Sequence, residues 1–322
     1  FGVQVESLGA RSLLDLPRVW WRWRRLVRRD PPQLAQAFLH HANVLSAAVY
    51  PAWRIPLVGG LRVAQPSAVR LRLDRWAAGR MRHIVCVSRS VADWFTAGRP
   101  ELSGRVVVIP NGVWVPPPEW SGASETIDQP AEAYLRGSGV SGDAPVLLCL
   151  GRLDHQKGTD RWLELGDTLL ERLPRHHLVL VGDGPLAGAI ATWRDRSPHR
   201  LRVHLPGWQS DPRSWLRRAQ LLVLPTRYEG MPNVLLEAMA EGRAVALPRV
   251  EGVSEVLGAE AYDQSVPPGD IVAWLELVCR LAHDPRRCQQ LGASNQQRCR
   301  EEFSWGRMIE RYQRLYLASQ GR

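Results

Sequence analysis

Two α/β units of the Rossmann kind, each built on a parallel sheet, are what this sequence predicts. The first observation is a repeated alternation. Short, branched apolar runs such as Val146-Leu147-Leu148-Cys149-Leu150, Leu178-Val179-Leu180-Val181 and Leu221-Leu222-Val223-Leu224 are each followed by a segment of helical period. Strand, helix, strand in sequence is the signature of a parallel sheet. The second observation is a break: Trp114 to Asp143 is rich in Pro, Ser, Gly and acid, with Pro116-Pro117-Pro118 and Ser121-Gly122-Ala123-Ser124 marking a linker. The third is length, since 322 residues suit two domains. The expected bounds are 1–115 for the first unit, 116–143 for the linker, 144–300 for the second unit and 301–322 for a terminal helix.

Composition narrows the class. Apolar residues make up 45% of the chain, enough for a sizeable core. No apolar run reaches 18 residues, so no transmembrane helix is expected. The formal net charge is +10, carried almost wholly by arginine, with Lys157 the only lysine. Such a balance suits an anionic substrate, an anionic membrane surface or nucleic acid. The arginines are dispersed and no nucleic-acid module is present, which argues against nucleic acid. Cys86, Cys149, Cys279, Cys288 and Cys299 show no C-x-x-C pairing and sit mostly in apolar segments, as free thiols in a reducing cytosol would. The chain opens on Phe1-Gly2-Val3-Gln4-Val5, which reads as the interior of a domain.

In the first unit, Val19, Trp20, Trp23, Leu26 and Val27 fall on one helical face, with Arg18, Arg22, Arg25 and Arg29 largely on the other. Such a helix either covers its own sheet or lies on anionic lipid with Trp as anchor. The segment Leu34 to Leu39 reads as a strand, and His40 and His41 follow it, before a helix. A His at a strand's carboxyl end faces the ligand crevice of an open sheet. His41 is preferred over His40, although the register leaves both open. Ile55 to Ala64 reads as strand and loop, Leu71 to Arg82 as helix, and His83 to Ser88 as a buried strand, with Ser88 capping the next helix. Val106 to Val113 closes the unit with an Asn111-Gly112 turn.

The second unit holds the stretch that organises the chain, Thr226 to Glu237. It follows a buried strand and opens a helix in which Val234, Leu235, Ala238 and Met239 recur at helical spacing. Gly230 lets a ligand approach the backbone, and Pro232 suits a helix start. The amides of Gly230, Met231, Asn233 and Val234 then point above the sheet, where the helix dipole favours an anion. Glu229 and Glu237 flank that anion site, and carboxylates pair with hydroxyls rather than with phosphate. A nucleotide-sugar supplies sugar hydroxyls on one side of its diphosphate and ribose hydroxyls on the other. The bland alternative, a turn residue and a solvated helix residue, is strained for Glu237, whose helical neighbours are apolar. Upstream, Gly151-Arg152-Leu153-Asp154-His155-Gln156-Lys157-Gly158 places a planar fork and a mobile ammonium after a strand. The two could neutralise a leaving diphosphate without a divalent metal. Gly182 and Gly184 permit a tight turn after the next strand, and Asp183 reads as structural. Arg202 to Trp208 reads as a further strand and loop, with Trp208 as packing.

These stretches resemble the family-4 retaining glycosyltransferases, the glycogen-synthase-like enzymes of GT-B fold. Glu229 and Glu237 match the family's E-x7-E pair, and Glu237 to Ala246 its EAMA-x-G-x-PVVA run. Gly151 to Gly158 resembles its G-R-L-x-x-x-K-G loop, Val106 to Val113 its V-I-P-N-G-V turn, and Leu178 to Pro185 its L-x-I-V-G-D-G-P turn. The resemblance runs from about Leu39 to Leu317. It implies two Rossmann-like domains facing a central cleft, with the nucleotide-sugar donor held chiefly by the second. It implies roles for Glu229, Lys157, Arg152 and His41 in transfer. Gly230, Met231, Asn233, Val234, Glu237, Gly151, Gly182 and Leu205 would bind donor, the last near the base. No metal and no cofactor beyond the substrate are expected. The reaction implied is transfer of the sugar, with anomeric retention, to a glycan or lipid-linked acceptor of a bacterial cell-surface polysaccharide or lipopolysaccharide. The expected place is the cytoplasm, with peripheral contact at the inner face of the membrane as an added reading. The segment Phe303-Ser304-Trp305 with Tyr312 and Tyr316 resembles the helix that crosses back to the first domain.

Departures are visible too. Glu251 stands where the family's G-G-x-x-E loop has its first Gly, and Ser254 where a proline usually precedes Glu255. Nothing before Leu34 matches the family's opening strand and Gly-rich loop, so the first domain is expected to be incomplete, as in a fragment, a truncated product or a degenerate member. The main rival function is therefore a nucleotide-sugar-binding protein without turnover. An NAD oxidoreductase is disfavoured, because no G-x-G-x-x-G opens a first βα turn.

Overall fold

A computed structural model describes residues 4–9, 13–49, 55–64, 67–117 and 130–320. The chain divides into two compact units, residues 1–109 with 310–322 and residues 110–309. The expected boundary lay a few residues later. Residues 118–129, the middle of the expected linker, lie outside the described residues, as do 1–3.

The first unit is a parallel sheet of four strands in the order β1-β2-β3-β4 among the described residues. Helix α1 (Leu16–Arg29) precedes β1 (Ala35–Gln36), α2 (His40–Val49) leads to β2 (Leu57–Leu61), α3 (Ala68–Ala78) to β3 (His83–Cys86), and α4 (Arg89–Thr96) to β4 (Val106–Val108). Local chemistry sets these ends. The Ser67 hydroxyl accepts from the Arg70 amide at 3.4 Å and the Ser88 hydroxyl from the Val91 amide at 3.2 Å, each an N-cap. Asn43 of α2 spans both backbone groups of Gly60, donating to its carbonyl and accepting from its amide. In α1, Val19 and Val27 are buried and Trp20, Trp23 and Leu26 are half-buried, as the helical period predicts. Trp21 stays on the exposed face with Arg18, Arg22, Arg25, Arg28 and Arg29.

The first helix of the second unit among the described residues is α5 (Pro130–Gly137), where the sequence reading ran a linker through 116–143. The helix forms because Ala131 and Leu135 bury an apolar edge, Tyr134 packs edge-on to Trp215, and Glu132 pairs with Arg218 at 3.0 Å. Then follow β5 (Val146–Leu150), α6 (Arg161–Arg172), β6 (His177–Val181), α7 (Ala187–Arg196), β7 (Val203–Gly207), α8 (Arg213–Arg218) and β8 (Leu221–Val223). After these come α9 (Asn233–Ala240), β9 (Ala244–Pro248), α10 (Val253–Leu257), α11 (Ala261–Gln264) and β10 (Ser265–Val266). The unit closes with α12 (Ile271–Ala282), α13 (Pro285–Glu302) and α14 (Trp305–Gln320), the last ending in the first unit.

All pairings in this six-stranded sheet are parallel, in the order β10-β9-β8-β5-β6-β7. From β5 the chain runs one way to β6 and β7 and the other way to β8, β9 and β10. The order reverses beside β5, so the loops after β5 and β8 diverge over a crevice at the strands' carboxyl ends. The core beneath is apolar: β5, β8 and β9 are buried throughout. Trp162 and Trp274 meet edge-on at 5.5 Å, and Trp274 donates its indole N–H to the Ala246 carbonyl.

Candidate active site

The crevice is built by two loops tied to each other. One follows β5, residues 151–160; the other follows β8, residues 224–232. The Arg227 amide and the Thr226 hydroxyl both donate to the Gln156 carbonyl, and Gln156 in turn donates to the Tyr228 carbonyl. Arg227 forks onto Asp160 through two bonds of 2.6 Å. That fork holds the Asp160 carboxyl below its usual range. Arg161 donates to the Pro225 carbonyl at 2.9 Å.

Within this frame the structure brings together two residues that the sequence singled out separately, Lys157 and Glu229. Lys157 Nζ donates to Glu229 Oε1 at 2.6 Å, and the Thr226 hydroxyl donates to the same oxygen at 2.9 Å. Glu229 is 6% exposed, and the ammonium and the hydroxyl are its partners in that buried position. Lys157 is itself placed by its amide, which donates to Asp154 Oδ1 at 2.9 Å. Glu237, one turn along α9, is half-buried, and its carboxyl is pushed up by burial while Lys157 opposes that shift. The first-turn amides of α9, at Asn233 and Val234, have no carbonyl four residues back within the helix and face the crevice end of the sheet. Pro232 sits just before the helix rather than inside it.

Gly151, Arg152, Gly182, Asn233, Val234 and Glu237 line one cavity of about 420 Å³ with Trp208. A Cβ on Gly182, whose φ is +142°, would lie 1.8 Å from the Gly151 carbonyl oxygen, so the loops after β5 and β6 touch here through bare backbone. Arg152 is exposed and lies 3.4 Å from Asp154, at the rim. Gly230 and Met231 are buried in the β8–α9 loop. Leu205 lies in β7, outside the lining of that cavity; Trp208 and Gln209 of the following loop line it instead. Trp208 is 71% exposed, which corrects its reading as packing. Sequence reasoning also treated Asn111 only as a turn residue. Its side chain donates to Asn233 Oδ1 at 2.8 Å and to the Met231 carbonyl at 3.4 Å, steadying the start of α9. The Asn-Gly pair gave the turn but not this reach.

His41 belongs to the first unit and is exposed. The His40 ring meets it edge-on at 5.2 Å; His40 Nδ1 is 3.0 Å from Asp74 Oδ1, and His40 and Asp74 line a cavity of about 90 Å³ with Gly60, Arg62 and Trp94. Among the described residues no group of three or more His, Cys, Asp or Glu could hold a metal ion, and no helix is long and apolar enough to cross a membrane.

The chain is similar to known proteins. Residues 144–284 match the family profile described as Glycosyl transferases group 1, and residues 2–114 that described as Glycosyltransferase Family 4. The alpha-maltose-1-phosphate synthase of Mycolicibacterium smegmatis is 28% identical over 263 residues, 76% of this chain and 65% of that protein. The lipopolysaccharide core biosynthesis mannosyltransferase LpcC of Rhizobium leguminosarum bv. viciae is 24% identical over 94% of this chain and 84% of its own. Among solved structures, Anabaena HepE in complex with UDP-glucose superposes with a TM-score of 0.77 at 17% identity, covering 95% of this chain and 83% of its own. A sucrose-phosphate synthase from Thermosynechococcus elongatus gives 0.75 at 20% identity, covering 94% and 77%. At such identities the structural likeness speaks for the fold. The chain thus carries a Glycosyl transferases group 1 domain and a Glycosyltransferase Family 4 domain on a two-domain α/β fold of the GT-B kind.

Proposed function

We propose that this chain transfers a sugar, with anomeric retention, from a nucleotide-diphosphate-sugar to a glycan or lipid-linked acceptor of a bacterial cell-surface polysaccharide. The observation that carries the reading is the 2.6 Å Lys157–Glu229 pair beside the open first turn of α9. A diphosphate seated on the Asn233 and Val234 amides would draw the Lys157 ammonium, and Glu229 would then be released to the sugar hydroxyls. Glu237 would take the ribose, and Trp208 or the backbone near Leu205 the base. As the anomeric C–O bond to phosphate breaks, charge grows on the leaving diphosphate, and Lys157, Arg152 and the helix amides stabilise it there. The acceptor oxygen bonds to the anomeric carbon on the same face, and its proton passes to the departing phosphate oxygen. Cationic side chains and amides fill the part a divalent ion could play, so no metal or other cofactor is needed. The assigned place is the cytoplasm, with α1 resting on the anionic inner face of the membrane through Trp21 and its arginines. His41 would take part in transfer.

The test is calorimetric titration of UDP, GDP and their common sugar conjugates into the chain and into Lys157→Ala, with no added metal. One nucleotide should bind saturably, and the variant should lose at least tenfold in affinity. Transfer to lipid-linked acceptor should fall by a factor of about 100 or more in the variant. Binding that survives unchanged in Lys157→Ala would remove the diphosphate assignment. Binding by the parent with no transfer to any acceptor would leave a nucleotide-sugar-binding protein in place of an enzyme.

A further inference from the structure

Glu251 is a third carboxylate at the same end of the sheet. It sits in the loop after β9, in the turn before α10, where the Val253 amide donates to the Val250 carbonyl at 3.1 Å and Gly252 takes a left-handed φ of 78°. The loop is anchored from behind. The Arg249 amide donates to the Val266 carbonyl, its guanidinium bonds Ser265 twice, and it stacks 3.9 Å over Tyr262. Glu251 is thereby aimed across the β8–α9 loop, and its Oε2 accepts the Glu229 amide at 3.3 Å.

The electrostatics of the two glutamates differ. Glu229 has Lys157 as its counter-charge. Glu251 is half-buried, and among the described residues it has no ion-pair partner; the Glu229 amide is its one hydrogen bond. A half-buried carboxylate left in that state gains most from a ligand that brings donors, and repels one that brings an anion. The ligand in reach is whatever lies against Glu229.

We propose that Glu251 is a specificity-determining residue of the donor site: it favours a nucleotide-sugar whose sugar presents hydroxyl or ammonium donors and rejects one carrying a carboxylate. This rests on the donor-site reading above. The diphosphate is held elsewhere, by Lys157, Arg152 and the α9 amides, so the penalty falls on the sugar alone. A uronate brought near Glu229 and Glu251 would meet two carboxylates with one ammonium between them, and that ammonium is already shared with the diphosphate.

The test compares UDP-glucose with UDP-glucuronate and GDP-mannose with GDP-mannuronate, with UDP and GDP alone as controls, on the parent chain and on Glu251→Gln. Glutamine keeps an oxygen for the Glu229 amide and removes the charge, so the variant should melt with the parent, with the uronate gaining affinity and the neutral sugar gaining none. The parent should prefer the neutral member of the pair by at least tenfold, and Glu251→Gln should shrink that preference by at least tenfold. A parent that binds nucleotide yet does not discriminate, or a preference untouched in Glu251→Gln, overturns the proposal and leaves the donor site standing. If neither UDP nor GDP binds the parent, the donor-site reading falls, and this proposal with it.

Discussion

The carboxyl ends of the two sheets are finished differently. In the second unit the loops after β5 and β8 are joined by at least five hydrogen bonds outside the secondary structure. In the first unit the corresponding ends hold a small cavity with the His40–Asp74 contact and an arginine, Arg62, stacked over Phe38. Ionised groups brought close in a crevice must be held against their own repulsion and desolvation, and the second unit supplies the holding. The lesson is that a crevice lined by several charged side chains is preorganised by hydrogen bonds between its loops, not by the charged residues alone.

The sharpest way to break the second unit's arrangement is Gly182→Ala. The added Cβ has the Gly151 carbonyl 1.8 Å away, and the φ of +142° is one that alanine avoids. Backbone cannot yield as a flexible side chain would. A loss of roughly 3 kcal/mol or more in unfolding free energy is expected, by urea denaturation, with nucleotide binding lost even where the fold survives. A variant as stable as the parent would show that the two loops do not need to touch.

How far this difference was legible in the sequence follows from its causes. The second unit was readable because its signals are local. Branched runs gave β5, β6 and β8 nearly to the residue, Gly182 and Gly184 marked a close turn, and a lone lysine in an arginine-rich chain marked Lys157. What stayed hidden depends on distant pairings. That Lys157 would meet Glu229, 72 residues on, that Asn111 would reach Asn233, and that Glu251 would reach the Glu229 amide are consequences of strand order, which spacing does not encode. Helix α5 was missed for a related reason: its weak apolar edge becomes a helix only against Trp215 and Arg218. In the first unit the signal was thin, since β1 has two residues and the His40/His41 register hangs on a single step of α2.

A second contrast lies within the second unit, between the crevice and the sheet's other end. His177 Nδ1 and His204 Nε2 lie 3.0 Å apart at the start of β6 and β7, under Tyr134. Burial, then His177 and Arg194, pushes His204 down to about 4 from 6.5, and burial with Arg202 and Arg218 lowers His177. A folded-state pKa below the unfolded one means that the unfolded chain takes up protons first. Stability is therefore full above pH 6.5 and falls as pH drops toward 4. His204→Gln keeps a partner for His177 and removes one proton site. Its melting temperature should fall less steeply than the parent's between pH 6.5 and 4.5, while nucleotide binding at neutral pH is unchanged. Parallel curves would mean that the pair does not titrate in this window.

The smallest effects belong to the first unit, and they sharpen the comparison most directly. His40 and Asp74 are about one-tenth exposed at their side chains. Removing the imidazole in His40→Ala leaves the Asp74 carboxyl buried without the group it faces, which should cost roughly 1–3 kcal/mol in urea denaturation. His41 is exposed, and His41→Ala should move stability by no more than about 0.5 kcal/mol. Stability and transfer then separate the two histidines. If His41→Ala leaves the unfolding curve in place and lowers transfer at saturating donor, the exposed ring contacts substrate, as the family resemblance implies. If transfer falls only in His40→Ala, the first unit contributes through its small cavity, and the register that the sequence left open resolves to His40.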